Sequence, residues 1–438
     1  MVKVLIPSDT TACALGADKV AEEISRQARH RGLEIEIVRN GSRGAFWLEP
    51  LVEVESGIGR VAFGPVSADD VYELFERGFP GPCEHGLYLG NVADIEWLSR
   101  QSRLTFERAG NTDPLSLDEY KAYDGYAGLS RALGMSPVQI VEEVTASGLR
   151  GRGGAAFPTG IKWRTVLDAP ADQKYVTANA DEGDSGTFAD RLLMEADPYQ
   201  LLEGMTICAL AVGSSKGYIY LRSEYPKALV ALEHSIATAK EANLLGEHIA
   251  GSGRDFHLEV RVGAGAYICG EETSMLDSLE GKRGLVRFKP PLPAIEGLFG
   301  QPTVVNNVLT LGAVSTVLAK GADFYRDYGT GRSRGTLTVQ LAGNIRRGGL
   351  VELPFGVSLR EMVEEIGGGT ASGKPIGAIQ VGGPLGAYLP ESLWDTPMDY
   401  EAFSAIGAML GHGGVVVFDD SVDMAQQARF AMEFCALE

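Results

Sequence analysis

Strand and helix patterns alternate between residue 150 and about residue 320, and this alternation constrains the possible folds most strongly. Three apolar runs are typical of buried strands: KYVTANA (174–180), KGYIYLR (216–222) and HLEVRVG (257–263). Three longer stretches predict helices: 199–212, 225–243 and 271–280. Strands separated by helices predict an α/β domain with a largely parallel sheet. Because such sheets bind ligands at the carboxyl ends of their strands, we expect the loops 180–187 and 263–271 at the site.

Residues 1–107 show a β-α-β-β-α order that resembles a thioredoxin-like domain. Its predicted strands are 2–6, 33–38, 51–55 and 60–63, and its predicted helices are 17–31 and 69–77. Val20, Ile24 and Ala28 share one face of the first helix. The sequence Ser56-Gly57-Ile58-Gly59 predicts a hairpin between the last two strands.

The remaining segments predict a connector and two further units. Residues 108–149 predict a helical connector, whose last helix starts at Ser136-Pro137 with Gln139 completing a capping box. Residues 335–420 contain short strands around one helix, Leu359 to Ile366, and resemble a β-grasp domain of the soluble-ligand-binding type. Residues 421–438 predict the start of a C-terminal helical bundle. The expected fold class is therefore α/β, in a multidomain α+β chain.

Charge and hydropathy exclude several classes of protein. The net charge of −19 argues against binding nucleic acid through its phosphates. No run of about 18 apolar residues occurs, and the N-terminus lacks the apolar core of a signal peptide, so we expect a cytoplasmic chain that does not span a membrane. Five scattered cysteines without a CxxC spacing fit a reducing compartment and predict no metal site.

The first cluster with binding chemistry is the glycine loop, Gly148 to Gly160, followed by Lys162. Its glycines leave main-chain amides open, and Arg150, Arg152 and Lys162 add positive charge. Such a segment can surround a phosphate or a flat ring. The alternative is an ordinary glycine-rich turn, which the interleaved cations make less attractive.

Two acidic clusters follow predicted strands. The acidic loop, Asn179 to Gly186, offers acceptors for ribityl or ribose hydroxyls, and alone it equally fits a solvated turn or a hard-cation site. The segment Gly263 to Thr273 matches neither GxGxxG nor a P-loop. Helix N-terminal amides favour an anion, yet Glu271 and Glu272 stand at this helix start, so we expect discrimination among ligands.

The other polar pieces add no catalytic group. Lys289 to Pro293 and Thr303 to Asn307 are each ordinary loop chemistry when taken alone. The six histidines, at positions 30, 85, 234, 248, 257 and 412, are not expected to neighbour the glycine and acidic clusters. A site rich in glycine and carboxylate but poor in histidine predicts a bound cofactor that performs the chemistry.

Five motifs in this order resemble the family of FMN/NADH-binding subunits: GLRGRGGAAFPTGIKW, NADEGDSGTF, GAGAYICGEETSML, the KPP run and TVVNNV. That family includes the 51-kDa subunit of respiratory complex I and the diaphorase subunits of NAD-reducing hydrogenases and NAD-dependent formate dehydrogenases. The resemblance covers residues from about 137 to 438. Residues 39–60 and the GDSG of the acidic loop look most like the β subunit of the soluble molybdenum- or tungsten-containing formate dehydrogenase.

The resemblance implies an NAD-dependent oxidoreductase that transfers a hydride between NAD(H) and N5 of FMN in a Rossmann-like domain, residues 150–330. Electrons would pass through iron–sulfur centres of partner subunits, a small 2Fe-2S subunit and a molybdenum or tungsten formate dehydrogenase subunit. Two alternatives stay open: a complex I or hydrogenase diaphorase subunit, and a non-catalytic scaffold that binds nucleotide.

The resemblance also implies roles for individual residues, with no catalytic side chain. The FMN-binding residues would be Gly151, Arg152, Gly153, Gly154, Lys162, Asn179, Asp181, Glu182, Tyr267, Gly270, Glu271, Asn306 and Asn307. The NAD-binding residues would be Phe157, which would stack on the adenine, Asp184, Glu272 and Lys289.

The chain departs from the family pattern in four places. Residue 184 is Asp where the family often has Glu, and residue 292 is Leu where it has an aromatic residue. The N-terminal domain has only Cys13 and Cys83 where related domains use four cysteines, so we expect no cluster there. The family continues into a cysteine-rich loop that holds a 4Fe-4S cluster, and we expect the native chain to continue past Glu438 into it. Residues 1–438 therefore predict no metal ligands.

Overall fold

The computed structural model describes residues 2–57 and 59–438, and its N-terminal part is a five-stranded mixed sheet. The strands are β1 (Val2–Leu5), β2 (Ile35–Val38), β3 (Val52–Ser56), β4 (Gly59–Phe63) and β5 (Tyr88–Asn91), in the order β2-β1-β3-β4-β5. The helices are α1 (Thr10–Ala14), α2 (Ala17–Arg31), α3 (Val71–Glu76) and α4 (Glu96–Ser99). Residues Val20, Ile24 and Ala28 of α2 are buried, as predicted. The predicted hairpin joins β3 and β4, although its Ile58 lies outside the described residues.

Three short helices connect this sheet to the centre of the molecule. They are α5 (Leu117–Ala122), α6 (Ala127–Leu133) and α7 (Pro137–Ala146). The predicted capping box at the start of α7 is present, because Ser136 and Gln139 exchange side-chain to main-chain hydrogen bonds.

The central layer is a four-stranded parallel sheet, which confirms the predicted α/β architecture. Its strands are β6 (Tyr175–Ala180), β7 (Lys216–Leu221), β8 (His257–Val262) and β9 (Thr303–Asn307), in the order β8-β7-β6-β9. Its helices are α8 (Thr159–Asp168), α9 (Ala189–Ala196), α10 (Pro198–Val212), α11 (Pro226–Glu241), α12 (Glu272–Leu279), α13 (Val308–Lys320) and α14 (Ala322–Arg326). The interpretation of residues 303–307 as a loop is wrong, because Val304 and Val305 are buried and pair with β6.

A second mixed sheet follows, in which two of the strands pair in parallel. After the small hairpin β10 (Gly329–Thr330) and β11 (Ser333–Arg334), its strands are β12 (Thr336–Gly343), β13 (Gly349–Pro354), β14 (Ile376–Val381), β15 (Ala387–Leu389) and β16 (Gly414–Asp419). The order is β13-β12-β16-β14-β15. The predicted helix is present as a turn that becomes π-helical over Glu361–Ile366. Two more helices are α15 (Tyr400–Ala405) and α16 (Met424–Leu437).

Helices α10 and α13 cross closely at the centre of the largest apolar core. Every residue of α10 is buried, so its sequence shows no polar face. Gly204 lets the two helices approach, since a Cβ there would lie 1.9 Å from the carbonyl oxygen of Leu311. Within residues 2–57 and 59–438, we find no helix with the length and apolar character needed to cross a membrane.

The close crossing predicts a stability effect. Gly204→Ala is expected to lower the free energy of unfolding by about 1–3 kcal/mol or more, because the added methyl group must push α10 and α13 apart. Urea unfolding followed by tryptophan fluorescence measures this change. Gly134→Ala is the matched control, since its Cβ would lie 3.5 Å from the nearest atom at a φ of −85°, and it should unfold like wild type. Equal midpoints for both variants would contradict the packing argument.

Candidate functional site

A cavity opens where β6 and β9 end, and it has two compartments that share part of their lining. The Lys162 compartment has a volume of about 490 Å³ and the His412 compartment about 460 Å³. Both are lined by Gly153, Ala155, Asn179, Gly270, Glu271 and Asn307. These volumes are in the range of small-molecule and cofactor sites, and the position at the carboxyl ends of parallel strands was predicted.

The main chain of the glycine loop forms one wall of both compartments. The loop folds back on itself, since the amide of Gly151 donates to the carbonyl oxygen of Phe157 at 2.9 Å. A Cβ at Gly153 would lie 2.9 Å from the Cβ of Asn307, so glycine is needed for the loop to pack on the end of β9. This close approach brings the loop backbone to the strand edge where a ligand would bind.

The two arginines of the glycine loop make ion pairs and hydrogen bonds within the protein. Arg150 pairs with Glu401 at 2.7 Å, and the guanidinium of Arg152 donates to the hydroxyl of Tyr325 at 2.8 Å and to the carbonyl oxygen of Arg334 at 2.7 Å. Arg152 is buried and lines neither compartment. The loop cation that does line the cavity is Lys162, whose Nζ donates to the carbonyl oxygen of Val305 at 2.8 Å.

The acidic loop is tied to the turn before α12. Asn179 donates to the carbonyl oxygen of Gly270 at 2.8 Å and accepts from the amide of Asp181 at 3.2 Å. The hydroxyl of Tyr267 donates to Asp184 at 2.8 Å. Burial raises the pKa of Asp181 to about 7, although Arg222 opposes this, and burial also raises the pKa of Asp184. Two carboxylates at the cavity wall are therefore shifted towards their neutral forms.

Glu182 has its carboxylate directed away from open space. It accepts from the amides of Asp190 and Arg191, each at 3.1 Å, and from the hydroxyl of Tyr225 at 3.0 Å. Its Oε1 also lies 3.1 Å from Nε2 of His412. Burial opposes the charge, but His412 and the two amides outweigh it, so the pKa of Glu182 is lowered.

His412 is a site residue that sequence reasoning missed. The interpretation that the histidines are remote from the clusters is wrong here, because His412 is buried between the glycine loop, Glu182 and Asp190. A sequence signal existed: the histidine stands between two glycines, immediately before a predicted strand. Glu182, Asp190 and His412 also bring three metal-ligand types within 4.8 Å, at distances that their mutual hydrogen bonds and ion pairs account for.

The N-terminus of α12 is capped by the side chain of Glu271. Glu271 accepts from the amides of Thr273 at 2.8 Å and Ser274 at 2.9 Å, so these amides do not face an external anion. Lys289 joins the two acidic residues, since its Nζ lies 2.9 Å from both Glu271 and Glu272. Burial opposes the charge of Glu271, but Thr273 and Lys289 lower its pKa.

The C-terminal helix also reaches the cavity wall. The ring of Phe434 packs edge-on against Tyr267 with 4.9 Å between centroids. The amide of Tyr267 donates to the side chain of Glu438 at 3.0 Å. Helix α16 thus supports the residue that holds Asp184.

The cavity brings together all the predicted site residues except Arg152. The NAD-binding candidates divide between the compartments, with Phe157, Glu272 and Lys289 in the Lys162 compartment and Asp184 in the His412 compartment. Their roles towards a particular ligand stay predictions.

Comparison with known proteins points to one family. Residues 144–316 match the family model described as the Nuo51 FMN-binding domain. The chain is 47% identical over 335 residues to the NADP-reducing hydrogenase subunit HndC of Solidesulfovibrio fructosivorans, covering 76% of this chain and 68% of that protein. It is 49% identical over 319 residues to an NADH-quinone oxidoreductase subunit of Rhizobium meliloti, covering 73% and 76%. The solved NAD⁺-reducing [NiFe]-hydrogenase in the H2-reduced state matches 96% of this chain and 69% of that one, with a TM-score of 0.64 and 28% identity.

The raised pKa of Asp181 predicts that the stability of the folded protein depends on pH. Because the folded pKa of about 7 exceeds the ordinary 3.8, the native state loses stability as the pH rises between these values. Asp181→Asn should therefore stabilise the native state more at about pH 8 than at about pH 5, with a difference in unfolding free energy of roughly 1–3 kcal/mol. The melting temperature should rise correspondingly more at the higher pH. Thermal unfolding without added ligand tests this. The exposed Asp172→Asn should show no such difference, and an equal response of both variants would reject the prediction.

Proposed function

Because this chain belongs to the family of FMN-binding, 51-kDa-type subunits of NADH-quinone oxidoreductases and NAD(P)-reducing hydrogenases, we propose that its cavity is where NAD(H) and FMN exchange a hydride. The chain is an NAD-dependent oxidoreductase subunit that binds FMN and NAD(H). The observation that carries the proposed site is the pair of joined compartments at the carboxyl ends of β6 and β9, which offer room for two ligands in contact.

The lining residues fit FMN by their chemistry. The glycine loop presents main-chain amides and Lys162 presents an ammonium group, which together suit one phosphate group. Asn179 and Asp181 offer amide and carboxyl groups for a pyrimidine edge and ribityl hydroxyls. No Rossmann pyrophosphate motif occurs in the sequence, which favours FMN over FAD.

The remaining lining suits the dinucleotide. Phe157 is 47% exposed at the edge of the Lys162 compartment, where its ring face can stack on an adenine. Glu272 can accept from ribose hydroxyls, and Lys289, which neutralises part of its charge, can contact the nucleotide phosphates. When bound, FMN accepts or donates the hydride and passes electrons singly, so the protein has to position and desolvate the partners.

We further propose formate as the distant electron donor, with NAD⁺ as the acceptor. Support comes from residues 39–60 and the GDSG of the acidic loop, which resemble the β subunit of soluble formate dehydrogenases. Partners would then be a small 2Fe-2S subunit and a molybdenum or tungsten subunit. The names of the relatives favour a second candidate, a diaphorase subunit of a quinone-reducing complex or of a hydrogenase.

One purification tests both the proposed FMN and NAD(H) site and the proposed formate donor. The cofactor is released from the full chain by acid and identified by mass, and the flavin absorbance is followed after anaerobic addition of NADH. FMN that NADH bleaches supports the site, whereas FAD or an unbleached chain rejects it and leaves the scaffold alternative. Copurified subunits are then supplied with formate or with hydrogen, and NAD⁺ reduction by hydrogen alone would reject the formate proposal.

Lys162→Ala should weaken FMN retention. Loss of a charged hydrogen bond costs about 1.5–3 kcal/mol, so the dissociation constant should rise roughly 10- to 150-fold. Flavin fluorescence after dialysis measures it. Lys216→Ala removes an exposed lysine at the opposite end of the parallel sheet and should bind FMN like wild type. Equal flavin content in both variants would reassign Lys162 to a structural role.

Carboxylates at the cavity should favour NAD(H) over NADP(H) by repelling a 2′-phosphate. Asp184→Asn or Glu272→Gln is expected to lower the NADH/NADPH ratio of kcat/KM at least about 10-fold, which corresponds to about 1.4 kcal/mol. An artificial electron acceptor makes partner subunits unnecessary. The exposed Glu259→Gln serves as control. If both site variants keep the wild-type ratio, these carboxylates position the cofactor and do not select the nucleotide.

A further inference from the structure

His412 contacts the glycine loop, the acidic loop and the start of α9, all of which are far from it in the sequence. Its Nδ1 lies 2.6 Å from the carbonyl oxygen of Arg152 in the glycine loop. Its Nε2 lies 3.1 Å from Oε1 of Glu182 and 3.3 Å from Oδ1 of Asp190, at the start of α9. The residue comes from the loop before β16, so the β-grasp sheet supplies the contact between segments of the parallel-sheet layer.

The partners of His412 determine its protonation. A carbonyl oxygen only accepts hydrogen bonds, so Nδ1 must carry a hydrogen. Two carboxylates face Nε2, which therefore favours a hydrogen as well, and the imidazolium satisfies both sides. Burial opposes this charge, but Asp190 and Glu182 outweigh it and raise the pKa of His412 well above 6.5.

We propose that His412 is a positioning residue of the FMN site, whose imidazolium holds the acidic loop and α9 against the glycine loop and thereby keeps cofactor retention level across neutral pH. This inference rests on the proposed function, because it requires that the cavity binds FMN. It adds a residue of the β-grasp domain to the machinery that keeps the cofactor in place.

The cation is needed because two buried carboxylates lie side by side. Both oxygens of Glu182 already accept from amides and from Tyr225, and Asp190 accepts from Asn307 at 2.7 Å. Without a positive charge between them, one carboxylate must take up a proton or move. Movement of Glu182 or Asp190 would displace two walls of the cavity, the acidic loop and the end of β9.

Other charged groups around this cluster do not replace the imidazolium. Asp184, on the acidic loop, is a carboxyl group whose pKa is raised by burial, so it supplies no positive charge. Arg222 donates to the main-chain carbonyl oxygen of Glu182 and pairs with Glu224. Its guanidinium is therefore engaged away from the side-chain carboxylate of Glu182. Arg191 contacts Thr11 at 2.7 Å, and its guanidinium lies 6.0 Å from the ring centroid of Tyr225. Tyr225 donates its hydroxyl to Glu182 and remains neutral, since burial raises its pKa.

The sign of the pH dependence follows from the raised pKa of His412. Its contribution is fully present below 6.5 and is lost only as the pH rises through the higher folded value, so wild-type FMN affinity should stay level across neutral pH. In His412→Gln, the unpaired carboxylates have to share a proton. Retention should then be best in acid and should fall as the pH rises through neutrality.

The test is the FMN dissociation constant of the full chain, measured by flavin fluorescence between about pH 5.5 and 9, the range in which histidine and coupled carboxylates titrate. His412→Gln should approach wild type in acid and bind roughly 10- to 100-fold more weakly at about pH 8. The double variant His412→Gln with Glu182→Gln should regain a level profile, because it removes the uncompensated charge. The exposed His257→Gln is the matched control and should follow wild type.

Several outcomes would overturn the inference. A His412→Gln profile parallel to wild type at every pH would mean that the side chain only fills space. If that variant does not fold, Glu182→Gln decides: His412 then keeps one carboxylate, so FMN retention should begin to fall at a lower pH than in wild type, and an unchanged profile rejects the proposal. A wild-type chain that binds no FMN would instead reject the proposed function.

Discussion

The register of β6 against β9 is the constraint on which the cavity depends. Asn179 and Asn307 are register partners on these adjacent parallel strands. Both strands end there, so the chain must leave the sheet in two loops that diverge above one edge. Asn179 holds the turn before α12, and Asn307 caps α13 while donating to Asp190. One pair of residues therefore sets the distance between the acidic loop, the α12 turn and the helix behind the glycine loop.

Buried polar contacts connect the layers around this edge. Arg152 reaches from the glycine loop to Tyr325 and Arg334, and Gln340 of β12 accepts from the amides of Phe188 and Ala189 next to the acidic loop. These contacts are costly to bury and become favourable only when every partner is in place. The two sheets thus have to dock correctly before the cavity acquires its shape, which links domain packing to ligand binding.

Local sequence patterns predicted the parts of the fold that are determined by residues close together in the sequence. The strands β6, β7 and β8 are apolar runs after polar turns, and the capping box of α7 depends only on neighbouring residues. Strand β9 was missed because its two asparagines resemble loop residues, although pairing with β6 satisfies its backbone. His412 and the true position of Arg152 depend on contacts between segments more than 170 residues apart, which no local pattern contains. The glycine and acidic motifs identified the segments that line the cavity, but they could not show which charged side chains face it.

The charge of the lining has a consequence for how the cofactor arrives. Six acidic residues line the two compartments, Asp181, Glu182, Asp184, Asp190, Glu271 and Glu272, against the basic residues Lys162, Lys289 and His412. The whole chain carries a net charge of −19. An approaching phosphate-bearing molecule is therefore repelled at long range and attracted only within reach of the glycine-loop amides and Lys162. Added salt should therefore speed cofactor loading by screening this repulsion, opposite to the usual steering of anions into basic clefts.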